Sequence, residues 1–460
     1  MMARDWIFWR HLSSVAFPAT LLATVLGFLV VRTIRNSLVN QFEQRHRRTI
    51  EKKRVEKTQE SERYRAIAYY PSWAIYARGY LPENVPADKL THLLYAFADN
   101  KPDGTVFLGD GTIGEEEVDW KPDWYTTIEN LNLLKRRNKN MKLLLSIGGW
   151  QNAYQERHFD APASTEAGRQ RFADSCIDLI KHFGFDGIDI DAAYPQNCED
   201  GNNLQHLLRS IRSAMDAYAI ELGQGSCEQP HFVLSLAGPA DQDFYRRLPL
   251  GNLAQIVDFI NLKAYDFSGS WSPNVAHQAN LHPSKSMPAC TPLNADSIIN
   301  FYTSNGVPHQ KIVLGMPLFG RAFENTSGLG EAFEGIGQSG SWENGVWDYR
   351  DLPRPDARDV SDEDVGANYS YDSLNKTLIS YDNLPISSCK AQYIKDKKLG
   401  GAMWWELSAD KRGEEEKESI IANVVRILGG DNTEMLENSP NWQTYPDLRF
   451  KNLREDFLNI

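Results

Sequence analysis

Eight short apolar runs, rich in β-branched and aromatic residues, alternate with amphipathic stretches from residue 64 onward. Several runs are almost continuously apolar, which is typical of parallel strands buried on both faces. Eight such strands alternating with helices predict an α/β fold, the (β/α)8 TIM barrel. The runs are AIAYYP (66–71), THLLYAFA (91–98), KLLLSIGG (142–149), FDGIDID (185–191), HFVLSLAG (231–238), VDFINLKAY (257–265), KIVLGMP (311–317) and LGGAMWW (399–405).

The gap between the seventh and eighth runs is long, and its composition predicts a small α+β insertion domain over about residues 321–385. At roughly 150 residues per domain, the length of the chain would suggest about three domains. A single barrel with an insertion accounts for the same length. We therefore predict a barrel over residues 64–430 and a C-terminal extension over residues 431–460.

The N-terminal part of the chain has a different composition. Residues 15–31 carry no charge, and a highly charged stretch follows them. This apolar stretch is short for a membrane-spanning helix and long for the core of a signal peptide. We predict a membrane anchor or a cleaved signal segment over residues 1–37, with a buried core helix as a third interpretation, and a charged stalk over residues 38–63.

The orientation of an anchor is left open by two opposing signals. Lys and Arg are more frequent after the apolar stretch than before it, which favours a cytosolic barrel. Three N-glycosylation sequons, at Asn325, Asn368 and Asn375, favour an extracytoplasmic glycoprotein. We expect a membrane-anchored protein with an extracytoplasmic barrel, or a secreted one.

Composition excludes some classes of function. The net charge of −12 argues against nucleic acid as a partner, because phosphate binding needs clustered Lys and Arg. None of the five cysteines forms a CxxC pair, so neither a zinc site nor a disulfide framework is predicted, although one or two bridges remain possible. No metal and no cofactor are expected. The 12 Trp and 19 Tyr residues are either extra core bulk or faces that hold sugars.

The fourth run contains the strongest candidate for a chemical site. Side chains alternate along a strand, so Asp189, Asp191 and Ala193 share one face, and Ile188 and Ile190 the other. The isoleucines suit the helix layer, which leaves two aspartates facing the barrel interior. Burying two like charges is costly. The pair is either a polar filling of the barrel or an acid–base site whose pKa values are pushed apart.

Two segments, LLLSIGGW (143–150) and FDGIDIDAAYP (185–195), resemble the signature segments of glycoside hydrolase family 18. From about residue 64 to 430 the chain resembles the class V chitinases of fungi, and residues 1–63 have no counterpart. Further matches are YYPSWAIY (69–76), LTHLLYAFA (90–98), NLKAYDF (261–267), VLGMPLFGRAF (313–323), GSWENGVWDY (340–349) and GGAMWWELSADK (400–411).

The resemblance implies a role in carbohydrate metabolism, with chitin or chito-oligosaccharide as ligand. In that family the acetamido oxygen of the substrate attacks the anomeric carbon, so that β-linked N-acetylglucosamine polymers are cleaved with retention. Carried over by position, Asp191 orients the acetamido group, Asp189 hydrogen-bonds to Asp191, and Tyr265 completes the catalytic set. The implied substrate-binding residues are Trp405, Asp266, Arg321, Tyr70, Phe97 and Trp150, with Trp73 and Trp347 as weaker candidates.

The chain departs from the family motif where the general acid is expected. The motif has Trp-Glu at the positions of Ala192 and Ala193, and alanine has no proton to donate. Loss of general acid catalysis typically lowers the rate by about 10²–10⁴-fold. Glu199 follows on the same loop without a positional counterpart in the motif.

Two further departures lie nearby. Lys263 stands where the family has methionine, and its ammonium could pair with Asp191 or Asp266, or reach solvent at the end of the strand. Phe319 stands where tyrosine is usual. Three functions therefore remain open: a chitinase-like pseudoenzyme that binds chitin with little or no hydrolysis, an active endo-chitinase that uses an unusual acid, and a barrel kept only as a scaffold.

Overall fold

The computed structural model describes residues 63–109, 123–224, 229–430, 433–451 and 453. In this part of the chain, eight parallel strands form a barrel: β1 (Arg65–Pro71), β2 (His92–Asn100), β4 (Lys142–Gly148), β5 (Gly187–Asp191), β6 (Val233–Gly238), β7 (Phe259–Leu262), β8 (Ile312–Pro317) and β14 (Gly401–Trp405). Their order is β1-β14-β8-β7-β6-β5-β4-β2, and β1 also pairs with β2, which closes the barrel. The predicted TIM barrel is confirmed.

A second sheet of five antiparallel strands follows β8 in the described part of the chain. Its strands are β9 (Phe319–Phe323), β10 (Val346–Asp348), β11 (Arg358–Asp362), β12 (Ala367–Asp372) and β13 (Thr377–Tyr381), in the order β10-β9-β13-β12-β11. We call it the small sheet. A two-residue strand, β3 (Val106–Phe107), pairs with the end of β2.

Helices connect the barrel strands. They are α1 (Asp123–Arg137), α2 (Asp160–Ser164), α3 (Glu166–Phe183), α4 (Cys198–Gly223), α5 (Gln242–Tyr245), α6 (Leu250–Ile256), α7 (Ala295–Ser304), α8 (Leu384–Asp396) and α9 (Ile420–Gly429). Helix α3 shows how local sequence sets their ends. The Thr165 side chain accepts a hydrogen bond from the Gly168 amide, and Gly184 ends the helix at a φ of 70°, where glycine is favoured.

Residues 433–451, which we call the C-terminal strap, cross the amino-terminal end of the barrel. Glu437 of the strap forms ion pairs with Arg65, which begins β1 (2.8 Å), and with Lys142, which begins β4 (3.2 Å). Burial alone would raise the pKa of Glu437, but these cations outweigh burial and lower it. The strap therefore ties together the starts of two barrel strands.

Asp186, the first aspartate of the fourth run, lies at the same end of the barrel. Its carboxylate accepts hydrogen bonds from the amides of Leu143 and Trp442, both at 2.8 Å, and forms an ion pair with Lys135 at 2.9 Å. Trp442 belongs to the C-terminal strap. Asp186 therefore has a structural environment at the end of the barrel away from the carboxyl ends of the strands.

The predicted N-terminal segment and most of the predicted stalk lie outside the described residues. Among the residues that are described, no helix is both long and apolar enough to span a bilayer. Four cysteines are free thiols, and the fifth, Cys227, lies outside the described ranges. Asn368 is buried in the small sheet (1% exposed), whereas Asn325 and Asn375 are exposed.

Candidate functional site

A cleft of about 1050 Å³ opens at the carboxyl ends of the barrel strands, where TIM barrels carry their chemistry. Residues at or after the ends of β1, β2, β4, β5, β6, β7 and β14 line it, together with residues of the small sheet and of the loop before β10. The lining includes Tyr69, Trp73, Phe97, Trp150, Asp191, Tyr194, Asp241, Phe244, Lys263, Tyr265, Asp266, Trp271, Arg321, Glu343 and Trp405.

Asp189 lies beneath the cleft and is fully buried. Its carboxylate accepts hydrogen bonds from the hydroxyls of Ser235 (2.6 Å), Ser146 (2.7 Å) and Tyr69 (3.0 Å), which lie on three other barrel strands. Burial raises the pKa of Asp189, although the two serine hydroxyls oppose the shift. The Asp189 carboxylate thus accepts these hydrogen bonds from hydroxyls and not from Asp191, the partner that the resemblance implied, and Asp189 is a buried polar support rather than a surface of the cleft.

Asp191 ends β5 and is 5% exposed at the base of the cleft. Its Oδ1 accepts a hydrogen bond from the Tyr194 hydroxyl (3.2 Å) and forms an ion pair with Lys263 Nζ (2.6 Å). The Lys263 ammonium also donates to the Tyr194 hydroxyl. The expectation that Lys263 could pair with Asp191 is confirmed, and its side chain remains only 19% exposed.

The surroundings of Lys263 stabilise its protonated, charged form. Burial alone would lower the pKa of this ammonium, but Asp191 and Tyr194 outweigh burial and raise it. Lys263 therefore stays protonated across the physiological range, and it neutralises the carboxylate at the base of the cleft.

The glycine pair at the end of β4, Gly148 and Gly149, allows the strands to approach closely at this point. Gly148 and Gly149 have φ values of 114° and 92°. A Cβ on Gly148 would lie 2.5 Å from the Asp191 carbonyl oxygen, and one on Gly149 would lie 2.7 Å from the Phe97 ring. Side chains at either position would displace the backbone of Asp191 or the aromatic wall of the cleft.

Tyr265, Asp266 and Arg321 form a second polar group in the cleft. Asp266 has a φ of 60°, a conformation that aspartate tolerates better than most residues, and it accepts a hydrogen bond from Arg321 Nε at 2.6 Å. The Arg321 guanidinium also lies 4.9 Å from the centre of the Trp271 ring. The arginine is therefore held by a carboxylate and by an aromatic face.

Aromatic rings form much of the remaining surface. Trp405, which ends β14, packs edge-to-face against Tyr69 at 5.3 Å and stacks against Phe97 at 5.7 Å. Trp73 lies 6.5 Å from Trp405 and is 42% exposed, and Trp150 is 53% exposed. Open aromatic faces of this kind suit the apolar faces of sugar rings.

Most of the predicted site residues come together in this cleft. Those that line it are Asp191, Tyr265, Asp266, Arg321, Phe97, Trp73, Trp150 and Trp405. The prediction that Tyr70 binds the substrate is wrong. Tyr70 is fully buried on the opposite side of β1, and its hydroxyl donates to the Tyr80 carbonyl at 2.8 Å. The tyrosine of β1 that lines the cleft is Tyr69, because adjacent side chains point to opposite faces of a strand.

Three other residues that the sequence analysis named, Ala193, Trp347 and Glu199, do not line the cleft. Ala193 is 1% exposed. Glu199 lies in the first turn of α4 and is exposed. Sequence reasoning missed Tyr194, although it belongs to the same motif as Asp191. It also missed Trp271, which lies in a loop without periodicity.

A closed barrel with aromatic rings and carboxylates in a cleft at the carboxyl ends of its strands is typical of proteins that act on or bind carbohydrate. Residues 65–410 match the family described as Glycosyl hydrolases family 18. Endochitinase 1 of Metarhizium robertsii is 43% identical over 400 residues, which cover 85% of this chain and 90% of that relative. The chain belongs to glycoside hydrolase family 18.

Solved structures agree with this assignment. Chitinase ChiA74 from Bacillus thuringiensis has a TM-score of 0.69 at 28% identity, over 80% of this chain and 70% of that one. A family 18 chitinase from Cycas revoluta, solved as a mutant in complex with (GlcNAc)4, has a TM-score of 0.65 at 28% identity. That match covers 80% of this chain and 98% of the Cycas chain.

Proposed function

We propose that this protein binds chitin or N-acetylglucosamine oligosaccharides in its cleft and hydrolyses them slowly or not at all. By resemblance to the family motif, Ala193 occupies the position of the general-acid glutamate, and Ala192 that of the tryptophan before it. A cleft without that acid would keep its affinity for sugars, because binding depends on the aromatic and polar walls and not on the proton donor.

The observation that carries this proposal is the ion pair between Lys263 and Asp191, which precedes Ala193 by two residues. In the family mechanism, the aspartate stabilises a positive charge that develops on the acetamido group of the substrate. Lys263 already supplies a positive charge at that carboxylate. The cleft therefore lacks the acid and also has its stabilising carboxylate neutralised, so two parts of the catalytic mechanism are lost together.

Support for binding comes from the retained walls of the cleft. Trp405, Tyr265, Asp266 and Arg321 are present and face the cavity. The related Cycas revoluta chitinase was solved as a mutant with (GlcNAc)4 bound, and a similar oligosaccharide is therefore a reasonable ligand for this cleft.

The alternative function is an active endo-chitinase that cleaves β-1,4-N-acetylglucosamine linkages by the substrate-assisted retaining mechanism. The observation that favours it is the 43% identity with an endochitinase across 85% of this chain. This alternative needs another proton donor that reaches the leaving oxygen.

Binding and hydrolysis measured on the same preparation of the full chain test the proposal. We expect the protein to be retained on chitin beads and to release little or no product from chitohexaose over hours. Ordinary enzymes turn over at about 1–10³ s⁻¹, so turnover in that range would establish the endo-chitinase instead.

Two controls sharpen this experiment. Trp405→Ala removes the ring that stacks on Phe97, and we expect its affinity for chitohexaose to fall by about 2 kcal/mol, or about thirtyfold in Kd. Trp347→Ala removes a tryptophan that does not line the cleft and should leave affinity unchanged. Aryl glycosides with good leaving groups should be avoided as the sole substrate, because they need little help from an acid.

We further propose that the barrel is extracytoplasmic, either secreted or held at a membrane by residues 1–37. The exposed sequons at Asn325 and Asn375 would then carry glycans. The Asn368 amide donates to Asp359 Oδ1 at 2.8 Å inside the small sheet, so the folded protein has no room for a glycan there.

We expect Asn325→Gln and Asn375→Gln each to increase the gel mobility of the protein made in its own secretory pathway. Digestion with a glycosidase that removes N-linked glycans should abolish the difference. Asn368→Gln should cause no glycan shift. A protein that is unaffected by the glycosidase would contradict the extracytoplasmic assignment.

A further inference from the structure

Arg78 lies in the turn after β1 and contacts two buried carboxylates from distant parts of the chain. Its Nη1 is 2.9 Å from Glu406 Oε1, and 3.2 and 3.3 Å from the two carboxylate oxygens of Asp348. The Arg78 side chain is 17% exposed, and the side chains of Asp348 and Glu406 are 4% and 6% exposed. The three charges therefore interact largely out of water.

Both carboxylates are attached to segments that line the cleft. Glu406 directly follows Trp405, the tryptophan that packs against Tyr69 and Phe97. Asp348 ends β10, and the loop before β10 supplies Glu343 and its neighbours to the cleft. Arg78 itself lies five residues after Trp73, which also lines the cleft.

The loop before β10 is bound to the same centre. Trp342 Nε1 donates to Asp348 Oδ2 at 2.8 Å, and the Arg78 guanidinium lies 5.0 Å from the centre of the Trp342 ring. The Asp348 amide donates to the Ser341 hydroxyl at 2.9 Å. One guanidinium thus contacts the start of this loop, the strand after it and the end of β14.

Arg78 matters differently to its two carboxylate partners, Asp348 and Glu406. Asp348 also pairs with Arg350 at 3.1 Å, so it would keep a cation if Arg78 were lost. Glu406 has hydrogen bonds from the Ser408 amide and hydroxyl in addition to its pairing with Arg78. Burial raises the pKa of Glu406, and Arg78 opposes that rise. A buried carboxylate that loses its cation is strongly destabilised.

We infer that Arg78 is a positioning residue, which holds Trp405 and the loop of residues 341–345 in register across the cleft without itself touching the ligand. It does not line the cleft. Its removal should loosen two of the walls, and a ligand would then have to order them on binding at a cost in affinity.

The test is Arg78→Met, which keeps an unbranched apolar side chain and removes the charge. We expect amide hydrogen exchange to quicken in residues 341–348 and 405–409, and little elsewhere. Because this inference rests on the proposed function for its ligand, affinity for chitohexaose is measured separately, and we expect on the order of a tenfold increase in Kd. Arg78→Lys keeps the charge but loses the flat guanidinium over Trp342, so it should be intermediate in both measurements.

Arg354→Met is the matched control, because Arg354 also stacks on a tryptophan, Trp347, at 4.1 Å, but does not bridge to β14. It should change neither measurement. The inference is overturned if Arg78→Met has the same amide exchange and the same affinity for chitohexaose as the unchanged protein. It is also overturned if Arg354→Met changes both measurements as much as Arg78→Met does. If Arg78→Met does not fold, Arg78→Lys decides: exchange raised in the two segments supports the inference, and exchange raised throughout the barrel refutes it. If the unchanged protein binds no chito-oligosaccharide, the proposed function fails, and exchange still decides the role of Arg78.

Discussion

The triple variant Ala192→Trp, Ala193→Glu, Lys263→Met is expected to hydrolyse chitohexaose about 10²–10⁴-fold faster than the unchanged protein. Ala192→Trp with Ala193→Glu alone should recover little of this gain. Residue 193 follows the end of β5 by two positions, and Lys263 Nζ is 2.6 Å from Asp191 at that end. An ammonium close to an introduced carboxyl group lowers the pKa of that group and makes it a poor proton donor.

The measurement is product release from chitohexaose by the double variant, the triple variant and Lys263→Met alone. Lys263→Met should remain inactive because it restores no acid, but it isolates the effect of freeing Asp191. Equal activity in the double and triple variants would show that Lys263 does not limit the reaction. If a folded triple variant binds chitohexaose without cleaving it, the missing acid and the Lys263 charge together do not explain the inactivity.

Glu437→Ala is expected to destabilise the folded protein by about 3–5 kcal/mol at neutral pH, because it leaves Arg65 and Lys142 without their shared carboxylate. Urea unfolding followed by circular dichroism measures this change. The pKa of Glu437 is lowered in the folded state, so its contribution is fully present above about pH 4.3, the ordinary value for Glu, and is lost as the pH falls toward the folded-state pKa. The difference in the free energy of unfolding between the unchanged protein and Glu437→Ala should therefore become smaller at acidic pH.

Glu418→Ala provides the comparison for this result. Glu418 forms an ion pair of 2.7 Å with Lys411, but its side chain is 44% exposed, and water screens exposed pairs so that they add little to stability. If Glu437→Ala lowers the free energy of unfolding as little as Glu418→Ala does, the C-terminal strap adds little to the stability of the barrel.

The barrel could be predicted from the sequence because its strands are apolar on both faces and regularly spaced. The two aspartates of β5 could be assigned to one face because the isoleucines between them define the other. Alternation did not separate Tyr69 from Tyr70, since two tyrosines in succession give no indication of which one faces the helices. Side-chain alternation is informative only where neighbouring residues differ in polarity.

Other parts of the site depend on contacts that no local pattern contains. Lys263 had two carboxylates within reach of its strand end, and only the three-dimensional arrangement selects Asp191 over Asp266, which is taken by Arg321. The C-terminal strap has no helical or strand periodicity, so its contacts with Arg65, Lys142 and Asp186 could not be predicted. The centre at Arg78 joins residues more than 250 positions apart for the same reason.

The C-terminal strap is also synthesised after the barrel strands that it joins. Its contacts reach back across 256 positions from Trp442 to Asp186, and across 295 from Glu437 to Lys142. Synthesis proceeds from the amino terminus, so all eight barrel strands are made before the strap that joins the starts of β1 and β4. Domains generally fold during synthesis from the amino terminus, and contacts of long sequence separation form slowly. Arg65 and Lys142 therefore lack their shared carboxylate partner until the C-terminal strap has been synthesised.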